Sequence, residues 1–245
     1  MTVAIVTGAS TGIGRSVAVA LGRRKCHVVV VSRSDDDGNR ETLAEVEAAG
    51  GSGVQITADV GTSSGVARVF AAADGEPRFL INNAGRNVAT PFRHWAEGDW
   101  DEMYRTNLRS VALMSQRFVT RLESSGGTAT GAIVNVSSIR GLDGASTGDT
   151  AAYSAAKAGV ISLTGALAKE LAPSVTVNCV TPGYVRTAYL AQTSREQRRA
   201  WLGSVPIARF IEPHEVADAI LFLLDHRALT GANLVIDGGW RMAAA

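Results

Sequence analysis

Short β-branched runs alternate along the chain with longer segments rich in alanine and leucine, the pattern of repeated strand–helix units that build a parallel sheet. The runs VVVV at Val28–Val31 and AIVNV at Ala132–Val136 lack polar alternation, as expected of strands covered by helices on both faces. The pattern predicts strands at Val3–Val6, Val28–Val31, Val54–Ala58, Phe79–Asn82, Ala132–Val136, Val175–Cys179 and Leu234–Ile236. Between them it predicts helices at Gly14–Arg24, Arg40–Ala49, Ser64–Ala73, Asp99–Leu122, Ala152–Leu171 and Pro213–Leu224. No composition break divides the chain and no short-period repeat appears, so one α/β domain over residues 1–245 is expected, with helices on both faces of a doubly wound sheet. The least regular stretch, TPGYVRTAYLAQTSREQRRAWLGSVPIARF, reads as a lobe or lid at about residues 184–212, inserted over a sheet edge.

Composition narrows the partner classes. A charged content of 19% and a hydrophobic content of 46% are those of an ordinary globular protein, and 24 basic residues against 23 acidic ones leave a net charge of +1. That balance gives no reason to expect nucleic acid or an acidic membrane, and favours a small-molecule partner. Cys26 and Cys179 are too few for a disulfide framework, and each sits beside an apolar stretch; buried free thiols and a reducing cytoplasm are expected. The opening MTVAIVTGAS has no charged leader before an apolar core, and no apolar span of about 18 residues follows, so neither export nor membrane insertion is expected. His27, His94, His214 and His226 lack ligand spacing, and no metal is expected.

Two motifs carry chemistry. TGASTGIG, Thr7 to Gly14, follows the first predicted strand and opens the first helix. Its glycines at 8, 12 and 14 admit backbone conformations closed to side chains, and let a pyrophosphate approach N–H groups at the positive end of a helix. Its spacing is not the G-x-G-x-x-G fingerprint. DTAAYSAAKAGV, Asp149 to Val160, places Tyr153 four residues before Lys157 in a helix-forming run, so the two side chains share a face. A phenol loses its proton near pH 10. Acid–base work near neutrality asks for a drop of about three units, or ~4 kcal/mol, which a neighbouring ammonium can supply.

With these two motifs, NNAG at Asn82–Gly85, a serine at 138, PG at Pro182–Gly183 and DGG at Asp237–Gly239 stand in the order and spacing of one family. The chain resembles the classical short-chain dehydrogenases/reductases from Val3 to about Trp240, with 3-oxoacyl-[acyl-carrier-protein] reductases the most similar members. The resemblance implies a Rossmann-type sheet of about seven parallel strands. It also implies a nicotinamide dinucleotide held by Gly8, Ser10, Thr11, Gly12, Ile13 and Gly14 of the glycine turn. At the end of the second strand Ser32 stands where NAD-preferring members carry an acid, and Arg33 follows, which implies NADP(H) through pairing with a 2′-phosphate. Asp35, Asp36 and Asp37 soften that electrostatic case. Asp59 and Val60 would frame the adenine, and Asn83, Ala84 and Gly85 would line the adenosine side. Tyr153, Lys157, Pro182, Gly183, Val185 and Thr187 complete the expected cofactor set.

The same resemblance implies a catalytic set of Asn107, Ser138, Tyr153 and Lys157. Tyr153 would give its proton to a carbonyl oxygen during reduction, with Ser138 donating to the same oxygen. Lys157 would hold the nicotinamide ribose and lower the phenol's pKa. Ser137 is the alternative serine, but the family's serine stands three residues before a glycine, as Ser138 does before Gly141. Asn107 would hold a water that links the lysine to a proton relay. The segment between Ser138 and Tyr153 is longer than in compact bacterial members, which bears on specificity. Trp95 and Trp100 read as packing residues, with a substrate wall as the alternative. The expected partner is a small-molecule carbonyl substrate, free or carrier-bound, and a homotetramer is expected through Asp99–Leu122, Ala152–Leu171 and Pro213–Ile236. A secondary-alcohol, steroid or sugar dehydrogenase is the runner-up, and a nucleotide-binding protein without activity the remote alternative.

Overall fold

The computed structural model describes residues 1–124, 130–191 and 193–243. Seven strands, all parallel, stand in the order β3-β2-β1-β4-β5-β6-β7: β1 (Val3–Thr7), β2 (His27–Ser32), β3 (Ser52–Thr57), β4 (Pro77–Asn82), β5 (Gly131–Val136), β6 (Val175–Pro182) and β7 (Asn233–Ile236). The helices are α1 (Gly12–Arg23), α2 (Asp36–Ala48), α3 (Ser63–Ala72), α4 (Glu97–Tyr104), α5 (Ser110–Glu123), α6 (Ala151–Leu171), α7 (Ala188–Ala191), α8 (Arg195–Gly203), α9 (Pro213–Asp225) and α10 (Trp240–Ala243). This is the expected Rossmann-type doubly wound sheet.

Every residue of β1, β5 and β6 is buried, which accounts for the unbroken apolar run of β1, and in β6 the alternating Thr176 and Asn178 are buried as well. Successive side chains of β1 and β2 go to opposite faces. Ala4, Val6, Val28 and Val30 pack with Val17 and Leu21 of α1 and Val216 and Ile220 of α9. Ile5 and Val29 join Leu80 and Ile133 against Val66 and Phe70 of α3 and Met114 and Phe118 of α5. From β1 the chain winds outward through β2 to β3, and from β4 outward through β5 to β7. The connections after β1 and β4 therefore diverge, and a crevice opens at the carboxyl ends of these two strands.

Three features depart from the sequence pattern. The helix expected at Asp99–Leu122 is broken by one widened turn of π type, Arg105–Arg109, between α4 and α5. Hydrophobic periodicity does not register one inserted residue, because the apolar stripe resumes on the next turn. The irregular stretch contains α7 and α8, although Gln192 within it lies outside the described residues. The short α10 also went unforeseen; its Trp240 closes a small cluster with Ile139, Ala145 and Val205. Among the described residues no helix is long and apolar enough to cross a membrane, no group of three or more His, Cys, Asp or Glu is placed to hold a metal, and Cys26 and Cys179 are buried free thiols.

Candidate active site

At the crevice the glycine turn is set by backbone demands. Gly8 and Gly12 have φ of +63° and +58°, a region that side chains disfavour. Gly14 acts differently: a Cβ there would lie 2.2 Å from the Gly8 carbonyl oxygen, so its role is close packing of α1 under the turn. Thr7 Oγ1 accepts from the N–H groups of Asn83 and Ala84 at 3.0 Å each, and Asn83 Nδ2 donates to Thr7 O and Gly8 O at 3.0 and 2.9 Å. These bonds fasten the turn after β1 to the turn after β4. Arg15 ties the same turn to α2, donating to Ser10 O from Nη2 at 2.6 Å and to Thr42 Oγ1 from Nε at 3.0 Å. No spacing rule singled out Arg15.

A cavity of about 330 Å³ opens on the β1–β3 side. Of the expected cofactor residues, Gly8, Ser10, Thr11, Ser32, Arg33, Asp59, Val60, Ala84 and Gly85 line it. Asn83 lies instead on the neighbouring cavity, and its amide bonds to the backbone of the glycine turn. Gly12 and Gly14 line neither cavity; Gly12 faces Thr187, whose Cγ2 would be 3.0 Å from an added Cβ. Arg33 Nη1 donates to Glu102 Oε1 at 2.8 Å, and Arg105 pairs with both Glu102 and Asp59. Burial acts to raise the Asp59 and Glu102 carboxyls, and the hydrogen bonds and positive charge around them, from Arg105 first and with Gly61 N–H, Arg33 and Thr106, together outweigh it and lower both.

Gly85 and Arg86 form the corner at which this cavity meets a second, of about 550 Å³. A Cβ on Gly85 would lie 2.9 Å from Asn107 Oδ1 and 3.2 Å from Lys157 Nζ, so the corner is as tight as glycine allows. Asn107, fully buried in the π turn, accepts from Arg86 N at 2.9 Å and donates from Nδ2 to Arg86 O at 2.9 Å and Met103 O at 3.1 Å. Both amide hydrogens are committed to backbone. The expected water-holding role therefore does not rest on the amide donors, and the side chain fixes the corner between the cavities.

The second cavity collects Ser138, Tyr153 and Lys157 together with Ile13, Pro182, Gly183, Val185 and Thr187. Lys157 is 3% exposed; its Nζ donates to Val136 O at 2.8 Å and lies 5.8 Å from the centre of the Tyr153 ring. Burial pushes its pKa down to about 8, against a smaller opposing effect of the Cys179 thiol. The two serines separate by geometry. Ser137 Oγ donates to Lys157 O at 2.8 Å, whereas Ser138 Oγ accepts from Arg140 N at 3.2 Å and, among the described residues, has no acceptor for its own hydrogen.

Residues that spacing did not reveal complete the second cavity: Arg86, Asn87, Arg140, Asp149, Tyr184 and Trp201. Tyr184 and Trp201 stack with centroids 4.8 Å apart, so α8 of the irregular stretch covers this side. The only sequence signal was that irregularity. Trp95 and Trp100 line neither cavity; they pack on each other at 5.6 Å, and Trp95 Nε1 donates to Thr90 O.

The family model described as enoyl-(acyl carrier protein) reductase matches residues 8–241. A short-chain type dehydrogenase/reductase of Mycobacterium marinum superposes with a TM-score of 0.90 at 30% identity, covering 98% of this chain and 95% of that one. The chain belongs to the short-chain dehydrogenase/reductase family. This family of oxidoreductases includes two further close matches. The 3-oxoacyl-[acyl-carrier-protein] reductase of Vibrio harveyi is 34% identical over 244 residues, 98% of this chain and 97% of that one. The actinorhodin polyketide ketoreductase, in a crystal structure of a single-residue variant with NADPH, has a TM-score of 0.89 at 33% identity, covering 98% and 97% of the two chains.

Proposed function

We propose that the chain is an NADPH-dependent reductase that converts a ketone, a 3-oxoacyl thioester or a related carbonyl compound, to a secondary alcohol. The observation that carries this reading is the corner at Gly85, which joins a cavity built on a glycine turn to one that gathers Ser138, Tyr153 and Lys157. The positive φ of Gly8 and Gly12 and the open face of the turn suit a pyrophosphate at the start of α1. Arg33 is the candidate for the 2′-phosphate, Asp59 and Val60 for the adenine, and Lys157 for the nicotinamide ribose. The NADPH in the crystal structure of the actinorhodin ketoreductase supports the choice of cofactor.

The nicotinamide supplies hydride when bound. Tyr153 gives its phenolic proton to the carbonyl oxygen, and the free hydrogen of Ser138 is donated to the same oxygen and orients the substrate. Lys157, cationic at neutral pH with a pKa of about 8, favours the phenolate that remains. Asn107 acts as a positioning residue through Arg86. The segment at about residues 184–212 covers the substrate, with Tyr184 and Trp201 as its wall.

We place this enzyme in a reducing cytoplasm, a reading supported by two buried free thiols. A homotetramer is supported by large apolar side chains left exposed where twofold contacts were expected: Trp100 and Tyr104 on α4, Phe222 on α9 and Leu234 on β7. A monomeric mass at micromolar concentration would remove that assignment. The substrate reading is tested by turnover with NADPH on 3-oxoacyl thioesters, cyclic ketones and sugars. Preference for the thioesters is expected, and preference for cyclic ketones or sugars would move the enzyme to the dehydrogenases of those alcohols.

A further inference from the structure

The guanidinium assigned to the 2′-phosphate has a neighbour of opposite charge. Arg33 Nη1 donates to Glu102 Oε1 at 2.8 Å, and Thr106 Oγ1 donates to the same oxygen at 3.1 Å. Arg105 Nε donates to Glu102 Oε2 at 3.0 Å, and its Nη1 continues to Asp59. Glu102 is thus held in place from three sides, one turn before the π turn. Arg33, Asp59 and Thr106 all face the same cavity. The row Arg33, Glu102, Arg105, Asp59 carries two positive and two negative charges, so the end of the cavity expected to attract a dianionic phosphate has no formal surplus of positive charge.

We propose that Glu102 is a cofactor-selectivity residue, whose carboxylate weakens the discrimination between 2′-phosphorylated and 2′-hydroxyl nicotinamide dinucleotides by holding Arg33. The proposal rests on the dinucleotide reading above and deepens it. A phosphate entering beside Arg33 must share the guanidinium donors with Glu102, and it also meets the carboxylate's field. A 2′-hydroxyl meets neither cost, because it carries no charge. The acid therefore acts on one cofactor and leaves the other almost untouched. Nothing in the second strand foretells it, since Glu102 arrives from α4, across the crevice from Arg33.

The experiment measures dissociation constants of NADPH and NADH separately by fluorescence titration, for the wild type, Glu102→Gln, Arg33→Ala and the double variant. Glu102→Gln should bind NADPH about five- to tenfold more tightly and NADH within about twofold of wild type. In the Arg33→Ala background the gain for NADPH should shrink to about twofold or less, because no guanidinium remains to be released and only the carboxylate's field, partly neutralised by Arg105, is left to remove. Glu102→Asp, which keeps the charge, should stay closer to wild type than Glu102→Gln does. Unchanged NADPH affinity, equal changes for both cofactors, or weaker NADPH binding by Glu102→Gln would each overturn the proposal; weaker binding would mean that Glu102 orients Arg33 for the phosphate. Melting temperatures check that each variant is folded, and Glu102→Ala serves if Glu102→Gln is not. Binding of neither cofactor by the wild type would overturn the dinucleotide reading itself and this inference with it, whereas tight wild-type binding with a flat Glu102→Gln response overturns this inference alone.

Discussion

At the β1–β3 end of the crevice, four charged side chains stand in a row, 26–44% exposed, and each cation has an anion against it. At the β5–β6 end, Lys157 is 3% exposed, and among the described residues no carboxylate forms an ion pair with it; its ammonium bonds to the Val136 carbonyl. The first arrangement is screened by water and compensated internally, so its charges stand there at modest cost. The second leaves a cation buried, which lowers its own pKa, with its ammonium 5.8 Å from the centre of the Tyr153 ring. The two ends of one cleft thus treat charge in opposite ways, and in the proposed function the first serves recognition and the second reaction, with the Asn107–Arg86 clamp at the boundary between them.

The sharpest separation of the two ends should come from Tyr153→Phe. Loss of the phenolic proton should lower turnover by about 10³-fold while the NADPH dissociation constant stays within about twofold, measured by steady-state rates and fluorescence titration. In alcohol oxidation the pH limb ascribed to this group should vanish in the variant. Wild-type turnover with normal NADPH binding would reduce the Tyr153–Lys157 pair to a structural feature.

Lys157→Met should break the comparison at its other pole. Turnover should fall by about 10²-fold or more, and NADPH binding should weaken too, because the ammonium is assigned to the ribose as well as to the phenol. Stability should move the other way. The native pKa of about 8 lies below the ordinary 10.5, so the folded state releases this proton first; stability rises with pH between those values, and below about 8 the full cost of burying the charge is present. That cost is about 3 kcal/mol, partly offset by the bond to Val136 O. Removing the ammonium should therefore raise the unfolding free energy at pH 7 by about 1 kcal/mol, with the gain fading as pH rises from about 8 toward the ordinary 10.5 in denaturant titrations.

Asn107→Ala tests the boundary. It strips partners from the part-buried N–H and C=O of Arg86, which should cost about 1–2 kcal/mol of stability and disturb both ends together, seen as lower turnover and weaker binding of NADPH and NADH alike. A defect confined to one end would show that the clamp does not join them. The smallest effect is expected at the compensated end: Arg33→Ala should weaken NADPH binding by about tenfold and leave NADH nearly unchanged. Equal losses for both cofactors would withdraw Arg33 from the phosphate.

The sequence carried the frame of this protein because its signals are local. β-branched runs covered on both faces leave no polar alternation, and the seven strands they predicted are the seven observed. Glycines at 8 and 12 announced a turn that needs positive φ, and the four-residue step from Tyr153 to Lys157 put both on one helix face. What tertiary structure alone decided arises between segments far apart in the chain. Glu102 reaches Arg33 from 69 positions away, Asn107 grips Arg86 through a π turn that periodicity cannot register, and Tyr184 meets Trp201 in a stretch whose sequence showed only irregularity. The charge of Lys157 was written in the sequence, but its displaced pKa was not, because the dielectric around a side chain is set by every element packed over it.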